Sequence, residues 1–334
     1  MKAIIYEGPQ KISVKNVADP QVKSGEVLVK VSYAGICGTD LNIYAGTHPR
    51  AKSPLIPGHE FSGVTMSDSK RFSKGTRVAA YPLLSCGHCE PCMTGNEYVC
   101  DTLGLLGIDC NGAMAEYISV AEEKLIKLPD TMSDKLGAFI EPVAVTVHAL
   151  RETGFVPGSK AIVFGCGTIG LSTALTLRIF GALKVTMVET DQSRAAIAKS
   201  MGFDVFNPIG VNMEKFVREQ TDGIGFDWVF DCAGVQAVAD VLLDVVKVKG
   251  RIVIVAAYKK AAVLPLIKGM FKETSFSFTR VYRYKDFDIA AKIMQHEENY
   301  EKIITHLLPL DEAQKGFDLL TTPGTGAIKV MYKI

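Results

Sequence analysis

The chain has 334 residues, near-balanced charge (37 Lys and Arg against 36 Asp and Glu) and an apolar fraction of 48%. That length exceeds what one hydrophobic core usually serves, so two domains are expected, and a net charge of +1 argues against nucleic acid or an acidic membrane surface as partner. No apolar run reaches the ~20 residues of a bilayer span, and the amino-terminal run meets Glu7 too early for a signal peptide, so the expected address is the reducing cytoplasm, where disulfides are rare.

Residues 1–150 carry short alternating or β-branched runs: EVLVKVSYAG (26–35), FSGVTM (61–66) and AEYISV (115–120). Gly25, Gly58, Gly63, Gly75 and Gly112 interrupt them, which predicts a β-rich, partly barrel-like domain with few helices. Within it GICGTDLNIY (35–44) and PGHEFSG (57–63) set Cys37, His59 and Glu60 on glycine-bordered turns, and GAFIEPVAV (137–145) adds Glu141 beside a proline. Thiolate, imidazole and carboxylate form a mixed set that zinc accepts with one position open for water or substrate. The spacing alone equally allows a buried cysteine, a core histidine and a surface glutamate.

The stretch CGHCEPCMTGNEYVC (86–100) places Cys86, Cys89, Cys92 and Cys100 in C-x2-C-x2-C-x7-C spacing, with Gly87, Pro91 and Gly95 allowing the backbone to loop. Four thiolates turned inward suit a closed, structural zinc site. A disulfide conflicts with the reducing address, and an iron–sulfur run would close with x3-C-P. A redox C-x-x-C would open a helix after a strand and would not come tripled.

From Pro157-Gly158 strands and helices alternate: KAIVFG, TIGLSTALTLRIFGA, KVTMVE, QSRAAIAKSMG, FDVF, FDWVFD, GRIVIVA. Continuous apolar strands between helices predict a doubly wound parallel (Rossmann) unit over 151–284. The last stretch, 285–334, with DFDIAAKIMQ and GAIKVMYK, reads as a return to the first domain. FGCGTIG supplies Gly165, Gly167 and Gly170 in G-x-G-x-x-G spacing, with Thr168 and Ile169 opening the helix. The first glycine makes the turn, the second admits the pyrophosphate, and the third lets helix and strand approach. Glu189 closes the next strand, where an acid accepts the adenosine ribose hydroxyls and repels a 2′-phosphate, favouring NAD over NADP; Arg194 stands near the same ribose or is a solvated helix residue.

Cys37-Gly-Thr-Asp, Gly58-His-Glu, the four-cysteine lobe, Glu141-Pro and the glycine fingerprint come in the order of the zinc-containing medium-chain alcohol dehydrogenases. The chain resembles that family from end to end, and Glu141-Pro with Arg283-Tyr284 resembles its sorbitol dehydrogenase branch, while the stretch from Cys37 to Gly63 is similar to relatives acting on sugar acids or polyol phosphates. The resemblance implies an α/β architecture of a GroES-like catalytic domain plus the Rossmann domain, and two zinc ions per chain, one catalytic and one structural. It implies a catalytic zinc on Cys37, His59 and Glu60, with Glu141 a further ligand or the partner of a water there, Thr39 as the hydroxyl that passes a proton outward, and Arg283 and Tyr284 as substrate contacts. A small polyhydroxylated substrate (a polyol, polyol phosphate or sugar acid) and a homodimer or homotetramer follow from it too. A threonine- or butanediol-type dehydrogenase, and a non-catalytic NAD-binding protein, are the alternatives. Two positions depart from the pattern: Asn42 replaces a titrating histidine of the proton path, and Ile43 replaces a tyrosine that touches sorbitol. His48 and His148 read as loop and packing residues.

Overall fold

The computed structural model describes all 334 residues, Met1–Ile334. In chain order, β1 (Lys2–Gly8) and β2 (Lys11–Asn16) form an antiparallel hairpin, followed by β3 (Glu26–Gly35) and α1 (Gly38–Tyr44). Then come β4 (Glu60–Thr65), β5 (Arg77–Ala80), β6 (Leu83–Leu84), α2 (Glu90–Met93), β7 (Gly104–Leu105), β8 (Tyr117–Ala121), β9 (Leu125–Lys127), α3 (Asp134–Ala138) and α4 (Ile140–Thr153). β3 runs over the expected residues, and its pleat buries Val27, Val29 and Val31 on one face.

The alternating segment follows: β10 (Lys160–Phe164), α5 (Thr168–Ile179), β11 (Lys184–Val188), α6 (Gln192–Ser200), β12 (Asp204–Phe206), α7 (Met213–Thr221), β13 (Phe226–Asp231), α8 (Gln236–Val245), β14 (Val246–Ile254), α9 (Leu266–Lys272) and β15 (Ser275–Phe278). The chain ends with α10 (Tyr284–Ile293), α11 (Tyr300–Ile303), β16 (Ile304–Pro309), α12 (Ala313–Thr321) and β17 (Lys329–Lys333).

Two sheets organise these elements. One is ordered β16-β17-β3-β4-β5-β9, with β8 also paired to β3, and is antiparallel except between β16 and β17. The other is ordered β12-β11-β10-β13-β14-β15 and is parallel throughout. Its order reverses between β10 and β13, the switch point at which such sheets leave a crevice beyond their strand ends. The chain divides into one unit of Met1–Ala144 with Arg283–Ile334 and another of Val145–Tyr282. The divisions fall at 144/145 and 282/283, against 150/151 and 284/285 expected from the sequence; the first lies within α4, an unbroken helix that gives no composition signal at its division. No helix is long and apolar enough to cross a membrane.

Candidate functional site

Strand register brings the first cluster together. β3 pairs with β4 so that Gly35 lies opposite Glu60, and the chain leaves β3 through Ile36 and Cys37 just where His59 and Glu60 enter β4. A Cβ on Gly35 would collide with the Glu60 carboxylate. Asp40, fully buried, ties the two turns: its Oδ2 accepts the Cys37 N–H at 2.8 Å and its Oδ1 the Gly58 N–H at 3.3 Å. The ligand atoms of Cys37, His59 and Glu60 consequently lie within 4.8 Å of one another. Glu141, in the first turn of α4 and 7% exposed, stands outside that group, yet its charge acts on His59.

Lys329, in the last strand, is the residue that the sequence reading missed. Its Nζ donates to both Glu60 oxygens, at 2.8 and 2.7 Å, and to Ile36 O at 2.8 Å, with both side chains of the ion pair buried. The signal was present: a lysine interrupts the apolar run of GAIKVMYK. Burial alone would lower the His59 pKa, but the charges of Cys37, Asp40 and Glu141 raise it well above its ordinary value. Burial likewise pushes Asp40 up, opposed by His59. Four acidic groups (Cys37, Asp40, Glu60, Glu141) thus face the single lysine, and His59 Nδ1 is buried without a hydrogen-bond partner. This surplus of anionic donors, with sulfur, nitrogen and oxygen in one pocket, fits a zinc ion.

The second cluster is the cysteine lobe. Cys86 and Cys92 sulfurs are 4.0 Å apart and those of Cys89 and Cys100 3.8 Å, with all four within 4.8 Å. Zn–S bonds of about 2.3 Å at tetrahedral angles require edges of about 3.8 Å, whereas a disulfide needs about 2.05 Å. The N–H groups of Cys86 and Cys89 donate to the sulfurs of Cys100 and Cys86. That donation from Cys86 draws Cys100 down to about 6, while burial pushes Cys92 up to about 12, so Cys92 needs a cation beside it to ionise near neutral pH. The lobe fits zinc.

In the parallel unit, a cavity of about 650 Å³ is lined by Gly165, Gly167, Glu189, Arg194, Cys232 and Val235, among others. The fingerprint glycines have three separate reasons to be glycine. Gly165 has φ +97°, and a Cβ on Gly170 would overlap Gly165 O. A Cβ on Gly167 would meet no protein atom within 4 Å, and its φ of −77° suits any residue, so it leaves that space to a ligand. α5 starts at Thr168 and Ile169 without a side-chain cap, as a helix that receives a phosphate does. Glu189 accepts N–H bonds from Cys166 (2.7 Å), Thr190 (2.8 Å) and Asp191 (2.9 Å), fastening the fingerprint loop to the end of β11. Pro208, Ile209 and Val211 complete an apolar wall that sequence reasoning did not single out, because no motif marks it. The cavity fits a dinucleotide.

Thr39 Oγ1 lies 3.7 Å from Cys37 Sγ. Ile43 is 1% exposed in a core cluster with Tyr6, Leu55 and Ile108, so it is a packing residue. Arg283 and Tyr284, expected to touch substrate, have their side chains engaged within the protein. Arg283 Nη2 donates to Asn96 Oδ1 (2.9 Å) and Tyr98 Oη (3.4 Å), and Tyr284 Oη to Leu125 O (3.5 Å). His148 is buried on α4, and His48 Nδ1 accepts the N–H groups of Arg50 and Ala51.

A mixed thiolate–imidazole–carboxylate cluster, a closed four-sulfur lobe and a dinucleotide cavity together define a zinc-type, nucleotide-dependent dehydrogenase. The comparisons agree: residues 23–130 match the alcohol dehydrogenase GroES-like domain and residues 168–296 the zinc-binding dehydrogenase domain. The chain is 32% identical to 2-dehydro-3-deoxy-L-galactonate 5-dehydrogenase of Pseudoalteromonas atlantica, over 95% of this chain and 94% of that one. It is 30% identical to L-threonine 3-dehydrogenase of Bacillus velezensis, over 98% of each. The crystal structure of 2R,3R-butanediol dehydrogenase from Bacillus subtilis superposes with a TM-score of 0.92 at 29% identity, covering 100% of this chain and 99% of that one. The chain belongs to the zinc-containing medium-chain alcohol dehydrogenases, in their polyol branch, with the GroES-like and Rossmann folds. It is an NAD(P)-dependent dehydrogenase of alcohols.

Proposed function

We propose that the protein oxidises a secondary alcohol of a polyol, polyol phosphate or sugar acid with NAD, or reduces the matching ketone with NADH. The observation that carries this reading is the convergence of the ligand atoms of half-buried Cys37 and buried His59 and Glu60 within 4.8 Å. Zinc, when bound there, supplies Lewis acidity toward the alcohol oxygen, and NAD, when bound, accepts the hydride. The chain's own residues do the rest. Cys37, His59 and Glu60 hold the metal, Glu141 adds a carboxylate beside them, and Lys329 offsets the charge of Glu60. Thr39 offers a hydroxyl at the thiol's edge that can take a proton from the alcohol and hand it on. Asn42, lacking a titrating group, cannot be the final acceptor, so the proton leaves to water or through Glu141.

The relatives named as acting on a sugar acid, on threonine and on butanediol all handle a secondary alcohol. The last two support the second reading, a threonine- or butanediol-type enzyme. Retention of Cys37, His59, Glu60 and Glu141 speaks against a purely NAD-binding role. NAD is preferred because a 2′-phosphate would share the cavity wall with the Glu189 carboxylate. The test is kcat/KM for each coenzyme: at least ~10-fold in favour of NAD is expected, narrowing in Glu189→Gln. Comparable values in the unaltered protein would remove Glu189 from that role.

The assembly we propose is at least a homodimer. β15 is a free edge of the parallel sheet, Phe278 on it is 76% exposed, and Leu266, Ile267, Met270 and Phe271 of α9 are exposed as well. An apolar edge with unpaired backbone groups matches a second copy of itself.

A further inference from the structure

Arg283 is the first residue of the chain's return to the unit that holds the lobe. It caps α10, with its N–H on Asp286 Oδ2 at 3.0 Å, and Asp286 is buried. Its guanidinium reaches into the cysteine lobe. Nη2 bonds Asn96 Oδ1 and Tyr98 Oη, Nη1 bonds Gly95 O at 3.4 Å, and Cζ sits 4.9 Å above the Tyr98 ring. Every one of these partners lies between Cys92 and Cys100. The next residue, Tyr284, meets the Tyr81 ring edge-on at 5.5 Å.

That lobe segment contains little regular structure beyond α2 and a single turn at Glu97–Val99, so its shape depends on how its four sulfurs are fastened. A planar, forked cation needs acceptors at fixed mutual positions, which a compact ammonium does not. The grip on Arg283 therefore requires a closed lobe, and the buried Tyr98, two residues before Cys100, is in turn held by Arg283. Val281, two residues before Arg283, has φ +45°, an outlier for a β-branched side chain.

We propose that Arg283 is a positioning residue through which the zinc-closed lobe and the first turn of α10 stabilise each other. The proposal rests on the reading of the lobe as a zinc site. Such coupling is reciprocal at equilibrium: the factor by which the Arg283 contacts raise lobe affinity for zinc is the factor by which zinc favours those contacts.

The experiment uses the full chain carrying Cys37→Ser, so that the lobe is the remaining zinc site, and follows zinc transfer to a chromogenic chelator. Arg283→Met is expected to release zinc roughly 10-fold faster, in the range found when outer partners of metal ligands are removed. Arg283→Lys should not rescue it, because charge without the fork is insufficient. Asn96→Ala, which deletes one acceptor and leaves Arg283 in place, should give an intermediate rate and carries the test should the Arg283 variants fail to fold. Stripping lobe zinc should raise amide exchange across 283–290. A protein that holds no lobe zinc would overturn both the zinc reading and the proposal. Zinc held and released at an unchanged rate in all three variants would overturn the proposal alone.

Discussion

At the scale of single residues, the site is governed by charges that cannot stand alone. Lys329 and Glu60 form an ion pair with both side chains at most 3% exposed, and removing one partner of such a pair typically costs about 3–5 kcal/mol because the other is left buried and unpaired. Lys329→Met should therefore lower the melting temperature of the zinc-free protein by several degrees, and adding Glu60→Gln should recover most of the loss. Additive losses in the double variant, measured by calorimetry, would show that the pair is not the source. Thr39 makes a contrasting case, since it is half-buried and its hydroxyl lies against the Cys37 sulfur. Thr39→Val should leave folding and zinc content intact and reduce kcat by ~10²-fold or more. A valine variant with near-normal kcat would remove the hydroxyl from the proton path.

At the scale of elements, the parallel unit was readable because its strands are uninterrupted apolar runs and its loop carries a motif with three distinct physical demands, each met by one glycine. The GroES-like part was legible as β-rich, but its register was not, and register is what joins Cys37 to His59. Lys329 lies 269 positions from Glu60, and such a pairing leaves no local periodicity to detect. The resemblance places Arg283 at the substrate, and no local pattern shows that its guanidinium donates to Asn96 and Tyr98 of the lobe. The exposed apolar residues of α9 and β15 yield their own prediction. Phe271→Glu, placing charge at a site 77% exposed, should shift the sedimentation profile toward monomer while leaving the fold unchanged. An unaltered assembly would direct attention away from these residues.

At the scale of the whole molecule, the chain combines two zinc-fitting clusters with one dinucleotide cavity, and the central claim is that these serve oxidation of a polyhydroxylated secondary alcohol by NAD. The most direct measurement is NADH formation by the zinc-loaded protein, with metal content determined on the same sample, across polyols, polyol phosphates, aldonic acids, threonine and butanediol. The account predicts about two zinc ions per chain and NADH formation with at least one polyol, polyol phosphate or aldonic acid that exceeds the rates with threonine and butanediol. It also predicts that Cys37→Ser abolishes this activity. Two zinc ions per chain with no NADH formed from any of the polyhydroxylated candidates, or activity that survives Cys37→Ser, would contradict it.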